Sequence, residues 1–426
     1  MEKLGGWSHA RYMAESQAVD RLLEQGAFQA AEQKARVILQ HCIMAGEDAY
    51  PVAAYDCALA HFRLGRTLSM MGRVEEAFEM IRQAQQRFQA LAAEGVSEAE
   101  GMASACMTES ADCLSTLGRL DEAADLYAES ITLAEKSGDH RGAAVGKGQL
   151  ATVRMYQRKY DDALQMHAEA RDTFEQLGEP RTVATAWHQI GMVHEEARNH
   201  PEAEKAYRES LAIEVHEGDL FRQAGSLNQL GNLYAAMNRL EDSVIFLRQA
   251  ADISARQEDL AAEGRSRHNL SLRLIELRRY DDARTELMRA IECIQSFGLA
   301  AQPWKTWAML YELERIAGNT QATARARTKA VESYLAYRRQ GGVGQGPAAQ
   351  LMVRLEELLA RNGHEEATRF IDGLPPEWHE QDWFGRLLPK LQAIIAGSRD
   401  PALADDPDLD YDEAVEMRLL LERLKG

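Results

Sequence analysis

Residues 227–253, LNQLGNLYAAMNRLEDSVIFLRQAADI, contain two helical patterns that meet at Asn238 and Arg239. The first pattern places apolar side chains three or four positions apart, at Leu227, Leu230, Leu233 and Tyr234. The second pattern repeats this spacing with Leu240, Val244, Leu247, Ala250 and Ile253. Such a stripe is typical of a helix that is buried along one side. The stretch therefore predicts a helical hairpin in which the two apolar stripes face each other.

Small residues indicate where the two helices of this hairpin come closest. Gly231 follows Leu230 in the first helix, and Ser243 occupies the small position of the second helix. A larger side chain at either position would push the paired helices apart. Asn238 lies at the turn, where a residue in the left-handed region ends the first helix, and glycine adopts that region at a lower cost.

The same corner recurs along the chain at a nearly fixed interval. Clear copies end at Ala77, Ala123, Ala163, Ala203, Ser243 and Ala283, and fainter copies end at Ala31, Thr323 and Ala367. The successive steps are 46, 46, 40, 40, 40, 40, 40 and 44 residues. A period of this size with helical patterning inside each unit predicts a stack of hairpins. We therefore expect an all-α fold, an α-solenoid that forms a right-handed superhelix of about eight hairpins with a divergent C-terminal helical cap.

Particular positions within the repeats resemble the tetratricopeptide repeat (TPR), which has an aromatic residue and Leu-Gly in its first helix and small and aromatic residues in its second. The matching residues are Trp187, Ile190, Gly191, Ala203, Tyr207 and Ser210 in one repeat and Leu230, Gly231, Tyr234, Ser243 and Ala250 in the next. The resemblance extends over residues 8–340. The usual unit has about 34 residues, so the 40-residue units imply about three extra residues per helix, similar to kinesin light chain. The 46-residue units imply longer helices or loops near 46–48 and 93–95.

Four further stretches resemble the C-terminal TPR region of large bacterial proteins. They are LGGWSHARYM (4–13), PWKTWAMLYELE (303–314), SYLAYRRQGG (333–342) and DYDEAVEMRLLLERL (410–424). In those proteins the repeats follow a STAND nucleotide-binding module or a caspase-like CHAT protease. The resemblance implies a bacterial sensor whose effector is an N-terminal domain or a separate protein, absent from this chain.

Changes in composition predict four segments. Residues 1–340 form the TPR superhelix, and the glycine-rich residues 341–347 form a flexible linker because glycine and proline do not continue a helix. Residues 348–398 contain a degenerate ninth repeat and cap helices, and residues 399–426 contain an acidic tail and a terminal helix. A solenoid needs an atypical last unit to cover its exposed apolar face.

Charge and cysteine usage restrict the partners and the compartment. The chain has 49 basic and 67 acidic residues, a net charge of −18, which argues against nucleic-acid and membrane partners and favours basic or neutral ones. Five cysteines without a CxxC pair indicate reduced core thiols. The N-terminus lacks the pattern of a secretory signal, and no apolar run approaches the roughly 18 residues of a membrane span. We therefore expect a cytoplasmic protein.

Motifs for catalysis and cofactor binding are incomplete. GAAVGKG (142–148) has three residues instead of four between its first glycine and Gly-Lys, and no serine or threonine follows Lys147. The pair His194-Glu195 would need a second histidine at the position of Arg198 to form a zinc-protease helix. We therefore expect no cofactor, no metal site and no catalytic residues, and the chain is not predicted to be an enzyme.

Polar residues recur at one position of the first helix in successive repeats. Carboxamides stand 40 residues apart at Gln149, Gln189, Gln229 and Asn269, and nearby polar positions hold His188, Asn228, His268, Asn232 and Glu195. A carboxamide both donates and accepts hydrogen bonds, so a row of them can bind the backbone of an extended peptide. Alternatively, these amides link adjacent repeats to each other, and the two roles are compatible. Charged neighbours such as Arg265 would then tune selectivity.

The repeats and the carboxamide row together predict a protein- or peptide-binding scaffold that acts as a sensor, adaptor or autoinhibitory module through its concave groove. The alternative is a structural scaffold that assembles into dimers or filaments, with Trp7, Trp378, Trp383 and Phe384 as exposed aromatic contacts. A remote alternative is that the chain is one part of an enzyme-containing STAND or CHAT defence or signalling protein whose effector is absent here.

Overall fold

The computed structural model describes most of the chain. The described residues are 7–96, 98–344, 346–361 and 363–425. Residues 1–6, of which 4–6 belong to the stretch LGGWSHARYM named above, and Gln345 of the predicted linker lie outside them. The described residues form 21 α-helices and no β-strand, which confirms the predicted all-α class. The chain divides into two compact units, of which the first ends at Asp219 and the second begins at Leu220.

The first unit consists of ten helices that pair in chain order into five hairpins. They are α1 (His9–Glu24), α2 (Phe28–Ala45), α3 (Ala53–Met70), α4 (Val74–Ala93), α5 (Ala99–Thr116), α6 (Leu120–Ser137), α7 (His140–Tyr156), α8 (Tyr160–Gln176), α9 (Pro180–Glu196) and α10 (His200–His216). From α1 to α9, each helix packs against the next one in the chain. The first helices of successive hairpins also contact each other, α1 with α3, α3 with α5 and α7 with α9.

The second unit begins with three more hairpins and ends with shorter helices. Its helices are α11 (Leu220–Ala236), α12 (Leu240–Arg256), α13 (Leu260–Glu276), α14 (Tyr280–Ile294), α15 (Pro303–Ile316), α16 (Thr320–Arg339), α17 (Gly346–Ala360), α18 (His364–Asp372), α19 (Pro376–His379), α20 (Asp382–Ile395) and α21 (Tyr411–Arg423). Two 3-10 segments, Gln295–Ala301 and Pro401–Ala404, interrupt this order. The predicted linker and cap thus lie within the second unit, and the flexibility of the linker stays a prediction.

Helix length explains the long repeat period. All seven helices from α7 to α13 have 17 residues, and three-residue turns connect the helices within each hairpin. The helices from α2 to α6 have 18 to 20 residues, and longer loops follow α2 and α4. Both findings confirm the expectation that the extra residues lengthen the helices and, in the 46-residue units, the loops as well.

The hairpin that contains the quoted stretch shows why its small residues are needed. A Cβ atom on Gly231 would lie 2.5 Å from Leu247 Cγ, which is too close for any side chain without a shift of the helices. Ser243 is fully buried, and its hydroxyl donates to the carbonyl oxygen of Gly231 at 2.6 Å. A buried hydroxyl of this kind needs such an acceptor. The close approach of α11 and α12 predicted from the sequence is confirmed.

The turns use the left-handed backbone that the sequence predicts. Gly72 and Gly118 have φ values of 74°, and Asn238 has a φ value of 58°. Arg158 and Arg198 adopt the same region at equivalent turns, with φ values of 60° and 58°. Because a side chain in this region is strained, these arginines keep the repeat geometry at some cost in stability.

The end of the chain is packed into a core. In α21, Val415 and Met417 are fully buried, and the helix contacts α16 and α17. Phe384 is also fully buried, with Trp378 and Trp383 packed edge-on against its ring. The expectation that Phe384 is an exposed contact for self-assembly is therefore wrong, because apolar residues of the last helices enclose its ring.

The five cysteines are buried and form no disulfide, in agreement with the prediction of core thiols. Burial raises the pKa of the Cys42 and Cys106 thiols to about 12, so both are protonated at neutral pH. Among the described residues, no helix is long and apolar enough to cross a lipid bilayer.

Candidate functional site

The first helices of the second unit lie side by side and carry most of the predicted polar residues. α11 contacts α13, and α13 contacts α15. Asn228, Gln229 and Asn232 lie on α11, and His268 and Asn269 lie on α13. All five side chains are half-buried. We call the surface that these five residues form on α11 and α13 the first-helix face.

Carboxamides on the first-helix face bond to one another. Asn269 Nδ2 donates to Asn228 Oδ1 and to Asn232 Oδ1, both at 3.4 Å, and these contacts connect α13 to α11. Asn232 Nδ2 donates to Gln229 Oε1 at 3.5 Å, and Ser266 Oγ donates to Asn228 Oδ1 at 3.4 Å. The amides thus make contacts that link adjacent hairpins, as one of the two interpretations of the row requires. At 3.4 to 3.5 Å the hydrogen bonds are long, so they hold the amides only weakly.

His268 continues these contacts toward the next hairpin. Its Nδ1 lies 3.2 Å from Thr306 Oγ1 on α15. Burial lowers the pKa of His268, and the nearby positive charge of Lys305 lowers it further. The imidazole is therefore neutral at neutral pH, and it offers one donor and one acceptor instead of a positive charge.

A cavity of about 570 Å³ opens beside these residues. Its lining includes the polar residues Asn228, His268 and Asn269 and the apolar residues Ile294, Phe297 and Ala301. Pockets for small ligands usually have roughly 300–1,000 Å³, so this one has the size of a binding site. Its mixed lining suits a ligand that has both polar and apolar groups.

The 3-10 segment Gln295–Ala301 forms the apolar wall of the cavity. It packs against α14, α15 and α16, and it contains Gly298 with a φ value of 59°. Gly264 lies against the end of α14, where a Cβ atom would be 3.1 Å from Ile294 Cγ2 and 3.3 Å from Cys293 Cβ. Because α13 and α14 approach so closely here, the backbone of Gly264 forms part of the cavity wall.

The remaining predicted site residues belong to the first unit. Gln149 is exposed on α7, whereas Gln189 and His188 are half-buried on α9. His188 packs against the ring of Tyr207 with centroids 5.3 Å apart. The hydroxyl of Tyr207 donates to Glu195 Oε2 at 2.7 Å, and burial followed by this contact raises the pKa of Tyr207. Glu195 is thus engaged by a core tyrosine, and the binding role predicted for these four residues stays a prediction.

Sequence reasoning missed two features of the cavity, Lys305 and the segment Gln295–Ala301. Lys305 could have been found by the period, because it follows Arg265 by one 40-residue step. The segment could not have been found in this way. An insertion should lengthen the repeat, but the step from Ala283 to Thr323 is also 40 residues. Shorter helices compensate for the inserted segment: α14 has 15 residues and α15 has 14.

No group of three or more His, Cys, Asp or Glu side chains is placed to hold a metal ion within the part of the chain that the structure describes. The polar groups around the cavity are amides, an imidazole, a hydroxyl and two cations. Such groups bind a ligand through hydrogen bonds and charge.

Stacked hairpins with a polar first-helix face define the chain as a helical repeat protein. Comparison with protein families gives the particular class: residues 142–213 and 223–256 match the tetratricopeptide repeat family. These two segments therefore carry tetratricopeptide repeats, in agreement with the resemblance found in their sequence. A comparison with curated protein sequences gives no significant match.

Solved structures with the same fold include a signal transduction ATPase with numerous domains (STAND) from Pyrococcus horikoshii, described as having a TPR sensor. The match covers 78% of this chain and 54% of that chain, with 14% identity and a TM-score of 0.53. This chain thus spans about half the length of that protein. BtubC (BKLC) from P. vanneervenii matches over 57% of this chain and 92% of its own, with 20% identity and a TM-score of 0.44.

Proposed function

We propose that the chain is a protein-binding TPR scaffold and that the first-helix face of its second unit holds an extended segment of a partner protein. The observation that carries this proposal is the position of the carboxamides of Asn228 and Asn269 at the edge of a 570 Å³ cavity. The corresponding biological proposal is a sensor role, the word used to describe the repeats of the Pyrococcus protein, or an adaptor role.

The chemistry of the face suits the backbone of a peptide. Each carboxamide has two donor hydrogens and an acceptor oxygen, and so complements the N–H and C=O groups of an extended chain. The contacts between Asn269 and its neighbours on α11 are long, so an incoming peptide replaces weak hydrogen bonds with better ones. A peptide of any sequence has these backbone groups. Specificity therefore depends on whether its side chains fit the cavity.

The test is an affinity selection from random synthetic dodecapeptides on the purified chain, followed by calorimetric titration of the best peptide. Ala261→Trp on α13 places an indole in the cavity, and Ala324→Trp, at an exposed position of α16, is the matched control. We expect at least about tenfold weaker binding for Ala261→Trp, because hot-spot contacts lie in such pockets. The control should bind as the unchanged chain does.

A second pair of variants tests the amides themselves. Gln229→Ala and Asn269→Ala together should abolish peptide binding and leave the helical melting curve nearly unchanged, because the lost hydrogen bonds are long. Peptides that bind the double variant and the filled cavity as tightly as the original chain would show that this face is not the binding surface.

A further inference from the structure

The helix α21 attaches the end of the chain to the repeats. We call helices α17 to α21 the terminal bundle. Val415 and Leu419 of α21 belong to a core cluster with Trp304 of α15, whereas Met417 and Leu420 belong to a different cluster, formed with α17, α18 and α20. Among the described residues, the main contact between the terminal bundle and the repeats is that of α21 with α16. One helix therefore carries most of this attachment.

Polar groups complete the attachment of the terminal bundle. The guanidinium of Arg338 on α16 donates twice to the carboxylate of Glu416, at 2.7 and 2.9 Å. Arg327, also on α16, donates to the carbonyl oxygen of Leu409, which precedes α21. These partners are 78 and 82 residues apart in the chain. Because the contacts join distant parts of the chain, local geometry does not dictate which molecule supplies the terminal bundle.

The connection between the repeats and the terminal bundle is short and rich in glycine. α16 ends at Arg339 and α17 begins at Gly346. Gly341 and Gly346 have φ values of 89° and 86°. A Cβ atom on Gly342 would lie 2.4 Å from Tyr337 Cζ, so glycine is the residue that fits there without strain. A tight connection of this kind favours exchange of the part that follows it between two molecules, because exchange opens the turn and keeps the packed contacts.

The surface of α16 determines which partner fits it. The side chain of Arg338 is 8% exposed, so a partner that covers it must bring a carboxylate to the buried guanidinium. The same partner needs an apolar stripe next to that carboxylate, since Trp304 and Tyr334 are buried in one cluster with residues of α21. α21 combines both features on one helix. Every copy of this chain carries an identical α21, and a second copy is therefore the partner whose chemistry matches.

We propose that two copies of the chain exchange their terminal bundles, so that α21 of each copy docks on α16 of the other. The exchange is reciprocal, and it closes into a dimer with two-fold symmetry. Glu416 of one copy then meets Arg338 of the other, and the contacts equal those within a single molecule. Because the single molecule and the dimer differ mainly in the connection around Gly341, their ratio depends on the protein concentration. The dimer presents two first-helix faces where a single molecule presents one.

A mixture of two charge variants tests the exchange. Arg338→Glu places two carboxylates against each other in one molecule, and Glu416→Arg places two guanidinium groups there. Neither variant pairs these charges within its own chain or with an identical copy. When the two variants are mixed, each α16 finds the opposite charge on α21 of the other chain, provided that the terminal bundles exchange. We expect size-exclusion chromatography with light scattering to show a species of twice the chain mass, and mass spectrometry to find both variants in it.

Two controls accompany this mixture. Arg338→Glu with Glu416→Arg in one chain restores the pair within the molecule, and its melting curve should approach that of the original chain. Arg339→Glu mixed with Glu422→Arg reverses the exposed pair beside it, whose atoms are 2.8 Å apart. An exposed pair contributes little, so this mixture should form at least about tenfold less of the mixed dimer. Circular dichroism of each variant checks that the helices are intact.

The length of the connection provides a second measurement, in which the charges stay unchanged. Deleting Gly341 and Gly342 should prevent α21 from reaching α16 of the same molecule, so the dissociation constant of the dimer should fall at least about tenfold. Inserting a flexible stretch of glycine and serine after Val343, which is 75% exposed, should raise that constant, because a longer connection relaxes the tight turn in the single molecule. Light scattering across a dilution series measures both constants.

The exchange would be overturned by a mixture of Arg338→Glu and Glu416→Arg that elutes only as single chains, while the chain with both changes folds normally. If the chain with both changes does not fold, the shortened connection decides: a chain without Gly341 and Gly342 that stays monomeric throughout the dilution series also overturns the exchange. Neither measurement uses a peptide. Failure of the exchange therefore leaves the proposed binding face in place, and a failed peptide selection leaves the exchange in place.

Discussion

His167 is a buried histidine whose ring nitrogen Nε2 has no hydrogen-bond partner in the described part of the chain. It is 2% exposed on α8, and burial lowers its pKa from 6.5 to about 4. The unfolded chain therefore binds a proton at a higher pH than the folded chain does. Above pH 6.5 the ring is neutral in both the folded and the unfolded chain, so it does not change the free energy of unfolding there. The free energy of unfolding falls as the pH drops from about 6.5 to about 4. The loss from this single group reaches at most about 3 kcal/mol.

We expect His167→Leu to remove this part of the pH dependence, because leucine fills a buried position without a titrating group. Melting temperatures between pH 7 and pH 4 should decline less steeply for the variant than for the original chain. His140→Leu is the matched control, since His140 is exposed in the same unit. If the melting temperature falls equally steeply with pH in His167→Leu and in the original chain, His167 is not the source of this pH dependence.

Arg198 illustrates a residue whose conformation is set by the repeat and not by its own preference. Its φ value is 58° at the turn before α10, where other turns use glycine, as at Gly178 with a φ value of 69°. We expect Arg198→Gly to stabilise the chain by about 0.5–1 kcal/mol, because glycine relieves the strain at a smaller entropic cost. Gly178→Ala should destabilise it by a similar amount. Thermal melting of both variants checks the opposite signs.

At the scale of helices, a buried ion pair connects α21 to α16, beside the exposed pair of Arg339 and Glu422. Arg338 Nε and Glu416 Oε1 are 2.7 Å apart, a second contact joins Arg338 Nη2 to Glu416 Oε2 at 2.9 Å, and Tyr334 donates to the same carboxylate. Both charged side chains are more than nine-tenths buried. A buried pair of this kind costs much to break, since the remaining charge loses its partner.

We expect Arg338→Met and Glu416→Leu to destabilise the second unit by about 3–5 kcal/mol each, and the double variant to recover most of the loss. Guanidinium unfolding followed by the fluorescence of Trp304 measures this, because its ring lies 5.6 Å from the ring of Tyr334. If the loss of unfolding free energy in the double variant equals the sum of the losses in the two single variants, the two side chains act independently. The ion pair then does not stabilise the packing of α21.

Periodic contacts were predictable from the sequence, and contacts without a period were not. Gly231 and Ser243 repeat a local pattern, so the hairpin and its turn followed from residues close together in the chain. Arg338 and Glu416 are 78 residues apart, so the terminal helix predicted within 399–426 gave no indication of the ion pair that connects it to α16. The carboxamides were placed correctly on the first helices, but their mutual bonds depend on side-chain rotamers that no spacing specifies.

At the scale of the whole chain, contacts between helices are mostly local. Within each unit, from α1 to α10 and from α11 to α16, the main contacts of the described residues join helices that are one or two positions apart, and α21 packs back onto the earlier helices α16 and α17. In such an array each repeat is stabilised by its neighbours, so stability varies along the chain. The division into two compact units agrees with this pattern.

Leu270 on α13 and Ile81 on α4 are both fully buried, one in each unit, and they provide a matched pair of variants. Leu270→Ala should cost about 2–5 kcal/mol through lost packing and the cavity that remains. Because repeats contact only near neighbours, we expect faster hydrogen exchange in peptides from α12 to α14 and unchanged exchange in α3 and α4. Ile81→Ala should give the reverse pattern. Exchange that rises throughout the chain in both variants would mean that the two units unfold as one cooperative body, and binding at the first-helix face would then respond to changes anywhere in the molecule.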